Sequence, residues 1–137
     1  MSVDSIMTKK VVSVDMDDRL EVVRELFVRH RFHHLLVTDK KGCLVGVISD
    51  RDYFKETTPN VDLPAANTKD LATLQKRVHR IPTRKLVCIE AGDSLKNAIT
   101  KFRQYKISCL PVVNSERKPI GIITWRDLIR WLYDRVS

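Results

Sequence analysis

The sequence predicts an α/β (α+β) fold made of two copies of one β-α-β-β-α unit, and three observations support that expectation. The heptapeptide GVISDRD at 46–52 returns as GIITWRD at 121–127. A shift of 75 positions aligns the two halves without a gap from about residue 3 to residue 54. Identities under that shift include Ile6/Ile81, Thr8/Thr83, Asp18/Asp93, Leu20/Leu95, Phe27/Phe102, Leu35/Leu110 and Asp52/Asp127. Finally, β-branched runs and segments of helical spacing follow one another in the same order in both halves.

The short runs VVSV (11–14) and LVCI (86–89) read as the first strands. Helices follow: Leu20, Val23 and Phe27 share one face after an Asp18 suited to cap the first turn, and Leu95, Ala98, Ile99 and Phe102 share one in the second copy. LLVTD and LPVVN read as second strands, turned by DKKG and NSERKP into the third strands LVGVIS and PIGIIT. A last helix opens at DRDYF and at WRDLIRWLY. A unit of about fifty residues closes a poor core alone, so two copies in one chain stabilise each other. The domain organisation read from this pattern is 1–56 for the first copy, 57–75 for a linker rich in Pro, Asn and Thr, and 76–137 for the second copy.

Composition narrows the function. A chain of 137 residues with 43% hydrophobic and 31% charged residues is globular, and no apolar run reaches the length of a membrane span. No secretory signal is legible at MSVDSIMTKK, which gives a cytoplasmic expectation. Three cysteines without CxxC spacing argue against a disulfide framework or a zinc ribbon, and Cys88 and Cys109 read as core residues. The net charge of +8 suits nucleic acid, an anionic surface or a polyphosphate ligand equally, and equally a solvated basic face.

In each heptapeptide the glycine leaves room for close approach by another segment or a ligand. Ser49 and Thr124 stand at the strand-to-helix turn with Asp52 and Asp127 three residues later, the pattern of a capping box. The same geometry serves a ligand: a carboxylate fixed at a first helical turn accepts hydrogen bonds from a vicinal diol such as ribose, and the nearby backbone donors favour phosphate. Both readings stand together. Arg51 and Arg126, directly ahead of each aspartate, are phosphate candidates or surface arginines.

The tandem units ending G-h-h-[ST]-x-x-D resemble CBS (cystathionine-β-synthase) domains in the pair called a Bateman module. The resemblance runs from about Ser2 to Tyr133 and includes DSIMTKKVVSVDMDD and LPVVN. It implies a pseudo-twofold pair with clefts between the repeats that take adenosine-containing ligands: AMP, ADP, ATP or S-adenosylmethionine. No cofactor is required. Asp52 and Asp127, with Ser49 and Thr124, would then hold ribose. Thr8, Lys10, Val11 and Val12, and their counterparts Thr83, Lys85, Leu86 and Val87, would line the base. In the similar γ subunits of AMP-activated protein kinase a His-Arg pair reaches phosphate; His33 and His34 stand there in the first copy, against Ser108 and Cys109 in the second. The two sites are therefore expected to be unequal.

The resemblance also implies a homodimer stacked through helices, with Leu128, Ile129, Leu132 and Val136 on one side of the last helix and Trp131 and Tyr133 elsewhere around it. The histidines at 30, 33 and 34 lack companions at metal-ligand spacing, and no catalytic motif is present, so the chain is expected to be neither a metalloprotein nor an enzyme. The leading expectation is a ligand sensor that acts on an effector protein. The alternative is a scaffold or dimerisation module with no ligand. Nucleic-acid binding, suggested by KRVHRIPTRK, lacks a recognised motif and a stacking stripe.

Overall fold

Alternating branched residues and turn signals do produce two three-stranded sheets. The computed structural model describes residues 1–30, 32–56, 72–80 and 86–136. In the first copy β1 (Ser13–Asp15) leads to α1 (Leu20–Arg24), which continues as a π-helical turn over Glu25–Arg29. Then come β2 (His34–Thr38), β3 (Leu44–Ser49) and α2 (Asp50–Glu56). The second copy repeats this with β4 (Ile89–Glu90), α3 (Leu95–Gln104), β5 (Cys109–Val113), β6 (Pro119–Thr124) and α4 (Trp125–Val136). The sheets run β1-β2-β3 and β4-β5-β6, with β1 parallel to β2, β4 parallel to β5, and β5 antiparallel to β6. The first strands are shorter and later than the runs VVSV and LVCI suggested. Gly42 (φ 84°) closes the first hairpin in a left-handed conformation that suits a residue without Cβ.

Packing cuts across the order of the repeats. Unit I comprises Met1–Val11, Gly42–Leu44 and Lys85–Ser137; unit II comprises Val12–Lys41 and Val45–Arg84. In unit I the Leu95 amide, an orphan donor at the start of α3, donates to Met1 O at 2.9 Å. In unit II the Leu20 amide at the start of α1 donates likewise to Lys76 O at 2.9 Å. Val3 completes the unit I core with Ile89, Leu95, Ala98, Phe102, Leu110, Val112, Ile123 and Leu128. Val78 fills the matching place in unit II among Val14, Leu20, Val23, Phe27, Leu35, Val37, Ile48 and Tyr53. Each entry segment thus seals the helix of the opposite repeat.

Three local expectations need correction. Asp18 does not cap α1: its carboxylate accepts from the Asp15 amide at 2.9 Å and closes the strand-to-helix turn one residue too early to reach the helix. Asp93 does the same for Glu90, while Ser94 accepts from the Asn97 amide and caps α3. On α4, Leu128 and Trp131 face the core, while Ile129, Leu132, Tyr133 and Val136 lie exposed. Cys88 is half-buried rather than core.

Candidate functional site

The hydroxyl-x-x-Asp turns form as capping boxes in both copies. In unit II the Ser49 amide donates to Asp52 Oδ2 at 3.0 Å and the Asp52 amide donates to Ser49 Oγ at 3.1 Å. In unit I the Thr124 amide donates to Asp127 Oδ2 at 2.9 Å, and the Asp127 amide returns a bond to Thr124 Oγ1 at 3.4 Å. These reciprocal bonds fix each carboxylate at the first turn of its helix.

Unit I brings in a third element. Residues 7–8 cross β6, with the Thr8 amide on Ile122 O at 2.8 Å and the Ile122 amide on Thr8 O at 3.0 Å. The crossing is close because Gly121 has no side chain: a β-carbon there would collide with Met7 and stand 3.2 Å from the Thr8 carbonyl oxygen. The Thr8 hydroxyl then donates to Asp127 Oδ1 at 2.9 Å. Arg130, one turn along α4, approaches the same oxygen at 3.4 Å. Asp127 is only 3% exposed, a buried carboxylate whose two oxygens take all of these donors.

Unit II has a different chemistry at the same turn. His33 Nδ1 lies 3.0 Å from Asp50 Oδ2, and the Asp50 amide donates to His33 O at 2.9 Å. Burial pushes the Asp50 carboxyl up; the hydrogen bonds from His33 and the Arg51 amide, with the charge of both histidines, outweigh it and leave it below its ordinary value. His34 is pushed below its usual 6.5 chiefly by burial; Asp50 and Asp52 oppose the shift and His33 adds to it. Burial holds the Cys109 thiol at about 12, so it is uncharged where the first copy has His34.

The sequence-predicted residues therefore separate into two sets. Thr8, Lys10, Val11, Leu86, Val87, Thr124, Arg126 and Asp127 belong to unit I, and Val12, His33, His34, Ser49, Arg51 and Asp52 to unit II. Thr83 and Lys85 lie outside the described residues. Arg51 and Arg126 are exposed on their helices, and Val12 packs against the unit II core. Sequence reasoning missed Asp50 and Arg130. The first lies in the gap of the S-x-x-D motif, and the second follows Asp127 at i+3, a helical pairing visible in the sequence. Among the described residues no group of three or more His, Cys, Asp or Glu is placed to hold a metal, and no helix is long and apolar enough to cross a membrane.

The family model described as CBS domain matches residues 3–57 and again 78–134. A CBS domain-containing protein of Dictyostelium discoideum is 30% identical over 93% of this chain and 88% of its own length. The first curated relatives are longer proteins, of which the chain spans 22% and 23%. Among solved structures, CBSX2 in complex with AMP is 25% identical, with a TM-score of 0.78 over 99% of this chain and 98% of that one. The CBS domain pair of protein MJ0100, in complex with 5′-methylthioadenosine and S-adenosyl-L-methionine, shares the fold at 24% identity, with a TM-score of 0.74 over 98% of each chain.

Proposed function

The chain belongs to the CBS-domain family, and from that premise we propose a regulatory module that binds an adenosine-containing ligand and catalyses nothing itself. The observation that carries the reading is the bond from Thr8 to Asp127, 119 positions apart. It joins the segment suited to lining a base with the acid suited to holding a ribose, in one unit. The AMP bound by CBSX2 supports that ligand class.

Binding in unit I is an exchange of donors. The ribose hydroxyls replace Thr8 and Arg130 at Asp127 Oδ1, while Thr124 keeps Oδ2 in place. Arg126 and the released Arg130 then serve a phosphate or a carboxylate of the ligand. In unit II, Asp52 with Ser49 takes the ribose. Phosphate there falls to His33 and His34, and both the burial that lowers the His34 pKa and the Asp50 carboxylate oppose it, so the two sites are unequal. A ligand that favours one arrangement of the donors shifts the population, and an effector protein reads the change. The module also pairs with a second copy through the exposed face of α4.

Thermal melting and calorimetry with AMP, ATP and S-adenosylmethionine test the proposal. A ligand at about 100 times its Kd adds roughly 2.7 kcal/mol. Asp127→Asn should remove one site and Asp52→Asn the other. A second reading, a ligand-free scaffold, draws on the full set of donors already on Asp127. The absence of any shift with all three compounds would establish that reading instead.

A further inference from the structure

The two aspartate turns share one backbone plan and differ in charge. Directly after Thr124 stands Trp125, 52% exposed and packed on Phe102 with ring centroids 5.0 Å apart. The matching position after Ser49 holds Asp50, whose Oδ2 lies 3.0 Å from His33 Nδ1. An apolar ring in unit I thus occupies the place of a carboxylate in unit II.

The neighbouring cations do not cancel that difference. In unit I two guanidinium groups, Arg126 and Arg130, accompany the single acid Asp127, and Arg130 comes within 3.4 Å of Oδ1. Lys9 and Lys10 follow Thr8 in the same unit, both exposed. In unit II Arg51 and Lys55 take the places of Arg126 and Arg130, but they face two acids, Asp50 and Asp52. Any charge on His33 is answered by Asp50. His34, which feels both Asp50 and Asp52, is held below its usual 6.5 chiefly by burial and is uncharged at pH 7.5. Among the described residues, the unit I turn is therefore left positive and the unit II turn is not.

A phosphate monoester carries about two negative charges near neutral pH. It is attracted to the first arrangement, and in the second it meets Asp50. A sulfonium cation reverses both signs. A like charge fixed beside a site rejects the wrong ligand as effectively as an opposite charge selects the right one.

We propose, on the reading that each turn holds an adenosine ribose, that the two sites divide their ligands by charge: unit I takes the phosphorylated adenosine compound and unit II one whose 5′ substituent is a sulfonium. Asp50 and its counterpart Trp125 are the residues that set the difference.

The probes are AMP and S-adenosylmethionine, each titrated into the full chain at pH 7.5. The Trp125 indole N–H resonance, assigned with Trp125→Phe, reports on unit I. The His33 and His34 imidazole resonances, assigned with His33→Gln and His34→Gln, report on unit II. AMP should move the Trp125 signal at a concentration about tenfold below that needed to move the imidazoles, a difference of about 1.4 kcal/mol. S-adenosylmethionine should reverse the order. Asp50→Asn, at a side chain 39% exposed, should close the gap for AMP and weaken S-adenosylmethionine at the imidazoles, with the Trp125 response unchanged.

Three results overturn the division and leave the ligand reading standing. They are imidazoles that respond to AMP as early as Trp125, the same order of filling for both compounds, and an Asp50→Asn chain with the preference of the parent. Silence of all three signals with both compounds overturns the ligand reading and the division together. The order of filling is read in the parent chain, so a poorly folded Asp50→Asn variant leaves the test decisive.

Discussion

Gly121 and Met7 meet so closely that no β-carbon fits between them, and the Thr8 carbonyl behind Met7 stands 3.2 Å from where that carbon would lie. The glycine of the repeated heptapeptide therefore exists to let the entry segment cross β6. Gly121→Ala should destabilise the protein by about 1–3 kcal/mol, the usual range for overpacking. Met7→Ala in the same chain should recover part of that loss, because the flexible thioether is the nearer obstacle. Urea unfolding of the two single variants and the double gives the coupling. A Gly121→Ala protein as stable as the parent would refute the close crossing.

The same crossing delivers the Thr8 hydroxyl to Asp127. Thr8→Val keeps the shape and removes the donor, and should cost about 1 kcal/mol. Asp127→Ala strands the Thr124 amide and the Thr8 hydroxyl together, so it should cost about 2–3 kcal/mol. Because the two residues share one bond, the double variant should lose less than the summed singles. Additive losses would show that the bond contributes nothing.

His34 ties unit II to pH. Its folded pKa lies below the usual 6.5, chiefly through burial, so the unfolded chain binds the proton more readily. Stability should be full above that value and fall as pH drops through it, levelling once the folded form also takes the proton. Asp50 acts with its own sign elsewhere: its pKa is lowered from 3.8, so its contribution is lost only at more acid pH. Melting at pH 7.5 and pH 5.5 should show a loss that His34→Gln reduces. Equal pH dependence in parent and variant would exclude His34 as the cause.

The repeat made most of this fold legible. Two hydrophobic periods in a fixed order, aligned at one spacing, leave little freedom in element type, and the third strands LVGVIS and PIGIIT form over the residues that periodicity marks. The aspartate turns were equally visible, since capping and ligand binding ask for the same residues. What the sequence hid was exchange. A shift of 75 positions pairs Thr8 with Thr83, yet the partner of Thr8 is the turn of the second copy, because backbone bonds to Ile122 carry it there. Strand starts were hidden too: VVSV looks extended from Val11, but parallel pairing with β2 begins only at Ser13. The pairing of His33 with Asp50 has no counterpart in the second copy, where Ser108 and Trp125 stand, so the repeat gave no hint of it.

Val3 and Val78 test the exchange through stability. Each is an entry-segment residue sealed in a core, at 0% and 2% exposure. Truncation to alanine at either position should cost about 1–3 kcal/mol through lost burial and the cavity left behind. Val22, 41% exposed on α1, is the matched control and should change stability by no more than about 0.5 kcal/mol. Denaturant midpoints decide it, and an unchanged midpoint for Val3→Ala would mean that the first residues are not needed to close unit I.

The outward face of α4 carries the last prediction. Ile129, Leu132, Tyr133 and Val136 recur at i, i+3, i+4 and i+7, the spacing of a buried helical stripe, yet they are 60%, 48%, 68% and 74% exposed. Such a stripe is stable in water only at the expense of apolar hydration, and pairing with the same stripe of a second copy removes that cost. Arg126 and Arg130 flank it, so self-association should strengthen as salt screens their repulsion. Sedimentation at micromolar concentration should find a dimer in the parent chain and a monomer in Ile129→Glu with Tyr133→Glu, whose melting at low concentration stays near that of the parent. A parent chain that remains monomeric at all salt concentrations assigns the stripe to some other partner.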